Sequence, residues 1–337
     1  MDESTQLLMT DNGTLLSVQD LKVFFHGADS VSRAVDGVSY DLRHQETVCI
    51  VGESGCGKTV SALSILGLVP IPPGEIAGGR IIFNGENLLK LKDDQMERIR
   101  GNHIAMVFQE PLTSLNPVFT IGDQIGEAIE AHEHAGQPET RNRVIRLLKD
   151  VGIPTPEDRI DAFPHQLSGG QRQRVMIAMA LACNPEVIIA DEPTTALDVT
   201  VQAQIMQLFN SLKETRGMAI LYITHDLGVV ANIADRIYVM YSGIIAEQGN
   251  PEHIFQQSGH PYTRALLASL PTRLKRGKRL YSIPGTVPDP AYKPGGCPFH
   301  PRCPNVVETC RQEFPQLCRY EQGHLARCPV IYKEWKS

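Results

Sequence analysis

The chain has 337 residues, 42% of them hydrophobic and 21% charged, a composition ordinary for folded domains; at roughly 150 residues each, about two domains fit. Its 32 basic against 38 acidic residues give a net charge of −6, which argues against binding nucleic acid by bulk charge. Prolines 70, 72 and 73 break the longest uncharged run, Thr59 to Gly74, so no spanning helix of about 18 apolar residues is expected, and the acidic start (Asp2, Glu3, Asp11) does not resemble a secretory signal; the expectation is an intracellular protein.

In chain order, Leu16, Val18, Leu21, Val23 and Phe25 form a strand whose alternation slips at Gln19-Asp20. Thr47–Val51 is a short buried strand, followed by a glycine-rich turn and an apolar helix from Lys58 to about Leu68. Between about 111 and 168 the pattern becomes helical, with Ile125 and Ile129, then Val144, Leu147, Leu148 and Val151, at helical spacing. This predicts an inserted helical subdomain. A helix is expected over Arg172–Cys183, with Val175, Met179 and Ala182 on one face. The runs Val187–Ala190 and Met218–Ile223 are of buried-strand length, as in a parallel α/β sheet. Arg236–Tyr241 and Ile244–Gln248 around Ser242-Gly243 predict a hairpin. Seven prolines between 284 and 304 forbid regular helix or central strand there, and a domain boundary is placed at 249–251.

Three motifs carry chemistry. Gly52-Glu53-Ser54-Gly55-Cys56-Gly57-Lys58-Thr59 fits G-x-x-x-x-G-K-[ST] between a strand and a helix. Its glycines let backbone N–H groups surround phosphate oxygens, Lys58 would reach the β- and γ-phosphates, and the Thr59 hydroxyl would ligate Mg²⁺. A chance glycine-rich turn is the bland alternative. The run Val187-Ile188-Ile189-Ala190-Asp191-Glu192 ends a buried strand in two acids, one beside the metal and one able to take a proton from attacking water; solvated strand-end charges are the alternative. Leu167-Ser168-Gly169-Gly170-Gln171 opens a helix and offers a second anion nest, which one site does not need and a neighbouring molecule's site would. Taken alone it reads as a cap and turn.

In this order, with Ala196-Leu197-Asp198 and Ile223-Thr224-His225-Asp226 following, the motifs resemble those of the ATP-binding cassette (ABC) ATPases over about residues 15–250. The resemblance implies an α/β fold: a P-loop cassette with a RecA-like core on a mixed sheet, an antiparallel β subdomain and the helical subdomain. It also implies that Phe25 stacks on adenine, Gln109 senses Mg²⁺ and the attacking water, Glu192 is the base, His225 contacts the γ-phosphate and Asp198 lies at a dimer interface. On its own, Phe25 reads as a core aromatic and His225 as a strand-end polar residue. Two such cassettes would sandwich ATP head to tail, Ser168, Gly169, Gly170 and Gln171 of one completing the site of the other.

The remainder, 251–337, resembles the C-terminal extension of dipeptide/oligopeptide importer subunits at His260-Pro261-Tyr262, Ile283-Pro284-Gly285 and Gly296-Cys297-Pro298-Phe299-His300-Pro301-Arg302-Cys303-Pro304; Ser114-Leu115-Asn116-Pro117 also fits that group. This implies peripheral attachment at the cytoplasmic face of the membrane, with a second cassette subunit, two permeases and an extracytoplasmic peptide-binding protein. Groups importing nickel or other solutes share parts of the pattern, and soluble non-transport cassettes are the other class. Five of eight cysteines fall in the last 41 residues, without the paired knuckles of zinc ribbons. The resemblance points to a [4Fe–4S] cluster on Cys297, Cys303, Cys310 and Cys328, Cys318 being extra; zinc and packed thiols stay open. Cys56 is expected to be a small filler, Cys49 and Cys183 core.

Overall fold

The computed structural model describes residues 13–109, 114–133, 136–194, 198–270 and 281–336, the last four by backbone alone. Its strands are β1 (Thr14–His26), β2 (Val31–Arg43), β3 (Thr47–Val51), β4 (Gly74–Phe83), β5 (Glu86–Asn87), β6 (Ile104–Val107), β7 (Val187–Asp191), β8 (Ala219–Thr224), β9 (Arg236–Tyr241), β10 (Ile244–Gly249), β11 (Cys318–Glu321) and β12 (His324–Ala326). The chain divides into two compact units. One takes residues up to Arg43, Thr47–Leu89 and everything from Ile223; the other takes His44–Glu46 and Lys90–Tyr222. Among the described residues no helix is long and apolar enough to cross a membrane.

In the first unit, β2-β1-β4-β5 make an antiparallel sheet. The slip read at Gln19-Asp20 is a bulge: Val18 faces Tyr40 but Leu21 faces Val38, so three steps on β1 match two on β2. Asp20 takes the turn at φ 48, which returns Leu21 and Val23 to the buried face. The strands β11-β12-β10-β9-β3 run side by side, with β3 and β9 parallel and the rest antiparallel, a mixed arrangement. The hairpin β9–β10 turns through Ser242 (φ 46) and Gly243 (φ 83) as the two-residue pattern requires.

The boundary expected at 249–251 falls inside this unit. Past it, β12 pairs with β10, Glu247 opposite Ala326 and Gln248 opposite Leu325. Fully buried Glu247 fixes the joint: its carboxyl group accepts from Gly259 N at 2.6 Å and His260 N at 3.0 Å and bonds His324 Nε2 at 2.8 Å. The proline-rich stretch contains neither helix nor strand except a 3-10 turn, His300–Arg302, and it runs beside β2, where Arg33 N donates to Pro290 O.

The second unit pairs β6 and β7 in parallel, Ile104 opposite Val187 through Val107 opposite Ala190. The helical subdomain is present. Ile121–Glu130 buries Ile121, Ile125 and Ile129, one face of a 3.6-residue period, each side chain contributing about 1.5–3 kcal/mol. It starts at a capping box between Thr120 and Asp123. Gln137–Asp150 buries Val144, Leu147 and Leu148. The helix expected over Arg172–Cys183 instead spans Gly169–Ala180, because Ser168 caps it three residues earlier.

Candidate functional site

The phosphate loop follows β3, whose five residues are all buried. Two glycines are required by close approach: a Cβ on Gly52 would sit 2.2 Å from Met240 O, and one on Gly57 (φ 103) 2.3 Å from Ala34 O. Gly57 also opens helix Lys58–Ile65 without any side-chain cap, so its first N–H groups point into the loop with the positive end of the helix dipole. The helix ends at Ile65 rather than near Leu68. Buried Lys58 donates from Nζ to Gly52 O at 2.8 Å and Glu53 O at 3.1 Å, so the ammonium is held across the mouth of the turn. Ser54, Gly55 and Thr59 are exposed. Burial pushes the Cys56 thiol up, and its carbonyl accepts from Gly243 N at 2.9 Å; it fills space against the hairpin turn, as expected.

Two further expected residues lie in this unit. Phe25 is half-buried on β1, facing Ser32 of β2 and Gly74 of β4. His225 is exposed immediately after β8, ahead of Asp226, which caps helix Leu227–Ile233 through Gly228 N at 2.8 Å.

In the second unit, the carboxyl ends of parallel neighbours β6 and β7 bring together Gln109 and Glu192. Gln109 Nε2 donates to Glu192 Oε2 at 3.3 Å. Asp191 ends β7, buried, and Glu192 takes φ 46, a left-handed backbone rare for a non-glycine residue and typical of functional positions. Ser168 and Gly169 are exposed; the Ser168 hydroxyl accepts from Gln171 N at 3.3 Å and Gln171 Oε1 from Ser168 N at 3.1 Å. The bland cap is therefore real, yet as an acceptor the hydroxyl still has a proton to donate. Gly170 lies against Val201, whose Cγ1 a Cβ there would meet at 2.8 Å. Asp198 is an exposed N-cap, accepting from Val201 N at 2.9 Å; Ala196 and Leu197 before it lie outside the described residues, as do Glu110 and Pro111 after Gln109. The Ser114–Pro117 motif is tied down by Gln124, which accepts from Asn116 N and donates to Asn116 O and Phe119 O. Beside it a cavity of about 880 Å³ is lined by Phe119, Gln124, Glu127, Glu130 and Arg141 among others, with Val118 and Phe119 70% and 52% exposed.

Four tail cysteines, Cys297, Cys303, Cys310 and Cys328, line one cavity of about 180 Å³, together with Phe299, His300 and Phe314; Cys318 is not among the lining. Burial, then the neighbouring thiols, pushes Cys297 and Cys328 up to about 11, so as free thiols they stay protonated at neutral pH. Among the described residues no three His, Cys, Asp or Glu side chains are disposed to hold a metal ion; the thiols surround the cavity without converging, and the expected [4Fe–4S] cluster is not supported by their placement. Tyr262 and Arg302 were part of the tail resemblance but had no role. Both bond to Glu53 of the phosphate loop, and no periodicity or spacing signals a contact across more than 200 residues.

Comparisons with known proteins identify the family. The model of the ABC transporter family matches residues 35–195, and that of the oligopeptide/dipeptide transporter C-terminal region matches 246–310. A probable peptide ABC transporter ATP-binding protein of Sinorhizobium fredii is 50% identical over 324 residues, covering 96% of this chain and 95% of its own. The dipeptide transport ATP-binding proteins DppD of Bacillus subtilis and Escherichia coli are each 48% identical over 314 residues, 93% of this chain and 94% and 96% of theirs. The ATP-binding cassette MJ0796, solved as a dimer in a post-hydrolysis state bound to ADP and Pi, superposes with a TM-score of 0.63 at 29% identity, covering 70% of this chain and 98% of its own. Fold and site thus define a P-loop ATP-binding cassette that hydrolyses ATP. Within that class, the chain belongs to the ABC transporter family, in the group of dipeptide and oligopeptide transport ATP-binding proteins.

Proposed function

We propose that this chain is the ATPase subunit that powers import of di- and oligopeptides, working with two membrane permeases, a peptide-binding protein and a second cassette subunit at the cytoplasmic face of the membrane. Residues 15–250 form the nucleotide-binding part and 251–337 the extension. One observation carries the reading: Glu192, on a left-handed backbone at the end of β7, holds its carboxyl group 3.3 Å from the Gln109 amide. That pair orients a water and takes its proton.

In this mechanism Phe25 stacks on adenine, and the N–H groups of Gly52–Thr59 with Lys58 bind the β- and γ-phosphates. Thr59 and Gln109 would hold Mg²⁺, with Asp191 beside it, and the ion would supply charge neutralisation to the triphosphate. His225 contacts the γ-phosphate. The Ser168–Gln171 segment, exposed and capped, donates to the γ-phosphate bound by the partner cassette, and Asp198 lies at the same interface. A permease's cytoplasmic helix would dock at the 880 Å³ cavity, whose wall carries Asp123, Glu127, Glu130 and Asp161 beside exposed Phe119, with exposed Val118 next to it in the chain.

Uptake of a radiolabelled dipeptide by cells that depend on this chain tests the reading, with MgATP binding measured on the purified protein. Glu192→Gln should abolish uptake and cut hydrolysis by about 100-fold or more while ATP binding is retained. Unchanged hydrolysis would remove Glu192 from the role of base; uptake of peptide that proceeds without this chain would reject the substrate class.

Four thiols line the 180 Å³ cavity, with Glu313, His260 and His300 also in its wall; they do not converge there, and it is as thiolates, the ligand type of iron–sulfur clusters, that we propose Cys297, Cys303, Cys310 and Cys328 as ligands of such a cluster. The cluster would supply a cross-link that offsets the entropy of ordering a segment with little core of its own. Protein purified without oxygen should contain about four irons and four acid-labile sulfides per chain, lost in Cys303→Ser and kept in Cys318→Ser. Stoichiometric zinc without sulfide, or neither metal, would overturn it.

A further inference from the structure

Every polar group of Glu53, the second residue of the phosphate loop, is engaged. Arg302 grips its carboxylate with two parallel bonds, Nη1 to Oε2 at 2.7 Å and Nη2 to Oε1 at 3.0 Å, the fork-on-fork geometry that is the strongest form of ion pair. The backbone N–H of Glu53 donates to the Tyr262 hydroxyl at 2.9 Å, and its carbonyl accepts from Lys58 Nζ at 3.1 Å. Two of these three partners come from beyond residue 250.

The partners are themselves fixed. The Arg302 side chain is only 4% exposed, against 28% for Glu53. Arg302 Nε donates to Pro284 O at 2.9 Å, and the guanidinium lies over the rings of Tyr241 and Phe299. Tyr262 packs on Tyr241 at 4.6 Å and on Phe299 at 5.4 Å, and Phe299 meets Tyr241 edge-on at 5.3 Å. A rigid aromatic pad thus carries both contacts to the loop.

A carboxylate within a loop that receives a triphosphate is a like charge and weakens the loop's hold on its ligand. An unpaired Glu53 would repel phosphate and leave the loop free to explore other conformations. The pair removes the charge and pre-organises the turn, which saves ordering cost on binding. We infer that Arg302 is a positioning residue for ATP, through which the C-terminal extension sets the affinity of the phosphate loop. This rests on the reading of Gly52–Thr59 as the triphosphate site. Because Cys297 and Cys303 bracket the turn that carries Arg302, changes in the four-thiol cavity act on the same lever.

The test is equilibrium titration of the full-length chain with a fluorescent methylanthraniloyl-ATP in Mg²⁺. Arg302→Gln should weaken binding tenfold or more, and Arg302→Lys, which keeps the charge but loses the fork, by less. The double variant Arg302→Gln/Glu53→Gln should bind better than Arg302→Gln alone, since the uncompensated charge is gone; a general loss of fold would not be rescued this way. In the assembled transporter Arg302→Gln should raise KM for ATP with kcat largely kept. Wild-type affinity in Arg302→Gln, or losses that multiply in the double variant, would overturn the inference. Lys58→Ala separates the two levels: if it too binds like wild type, the triphosphate site is elsewhere; if it alone abolishes binding, only the positioning role fails.

Discussion

Asp41 illustrates how a single side chain ties two sheets. It sits on β2, and from β9 Arg236 places both Nη atoms on its two oxygens at 2.8 Å while the Tyr238 hydroxyl adds a bond at 3.1 Å. Burial works to raise its pKa, but the bonds and charge of Arg236, with Tyr238, overcome burial and hold it below the ordinary 3.8. A folded value below the unfolded one means the unfolded chain binds the proton more readily, so this contribution is present in full above the unfolded value of about 3.8 and is lost progressively as pH falls from there through the lower folded value. Asp41→Asn should therefore cost about 3 kcal/mol at pH 7, the low end for breaking a buried pair, and the gap to wild type should narrow at pH 3. Urea unfolding at the two pH values measures it, and equal stability at pH 7 would show that the pair contributes nothing. The positions of Lys58, Asp191 and Glu192 were legible at this scale because they follow directly from strand ends and glycines. Arg302 was not, because nothing local distinguishes a guanidinium that reaches Glu53 from any other basic residue near a proline.

At the level of elements, the strands that could be read are those with a strong local pattern. The hairpin β9–β10 was visible through two apolar runs and a two-residue Ser-Gly turn. The bulge on β1 showed as a slip in alternation. β11 and β12 were invisible because four and three residues are too few for a period to emerge, and their pairing is dictated by tertiary contact. The contact that matters is His324 on Glu247, both fully buried. His324→Ala leaves Glu247 one partner short in a site without water access, at a cost of about 1–3 kcal/mol. Amide exchange at Leu325 and Ala326, and at Gly259 and His260, should then accelerate about tenfold or more, while Ile188 and Ile189 on β7 keep their rates. Uniform acceleration through β7 would mean that this joint supports the whole molecule and not one hairpin.

For the molecule as a whole, composition changes after Pro251, but a change in composition is not a change in packing. The proline-rich segment cannot supply its own sheet, so it settles along β2 and delivers its last strands to a sheet begun before residue 52. Packing of this kind depends on which surfaces the first 250 residues leave unpaired, and no local signal in the tail encodes it. One consequence follows from the place where β12 joins. The β10 sequence Ile244-Ile245-Ala246 is apolar and pairs with β9 on one side; without the tail its other side would be an open edge, a row of unsatisfied N–H and C=O groups inviting any passing strand. β12 covers the far part of that row, opposite Glu247 and Gln248, with Arg327 N donating to Ala246 O at 2.8 Å, and β11 closes it with only four residues, of which Arg319 and Glu321 stand exposed and charged. Short, charged outermost strands are how natural sheets refuse further partners. The extension thus also keeps neighbouring copies from adding to the sheet, and a chain clipped ahead of Cys318 would exchange solubility for aggregation.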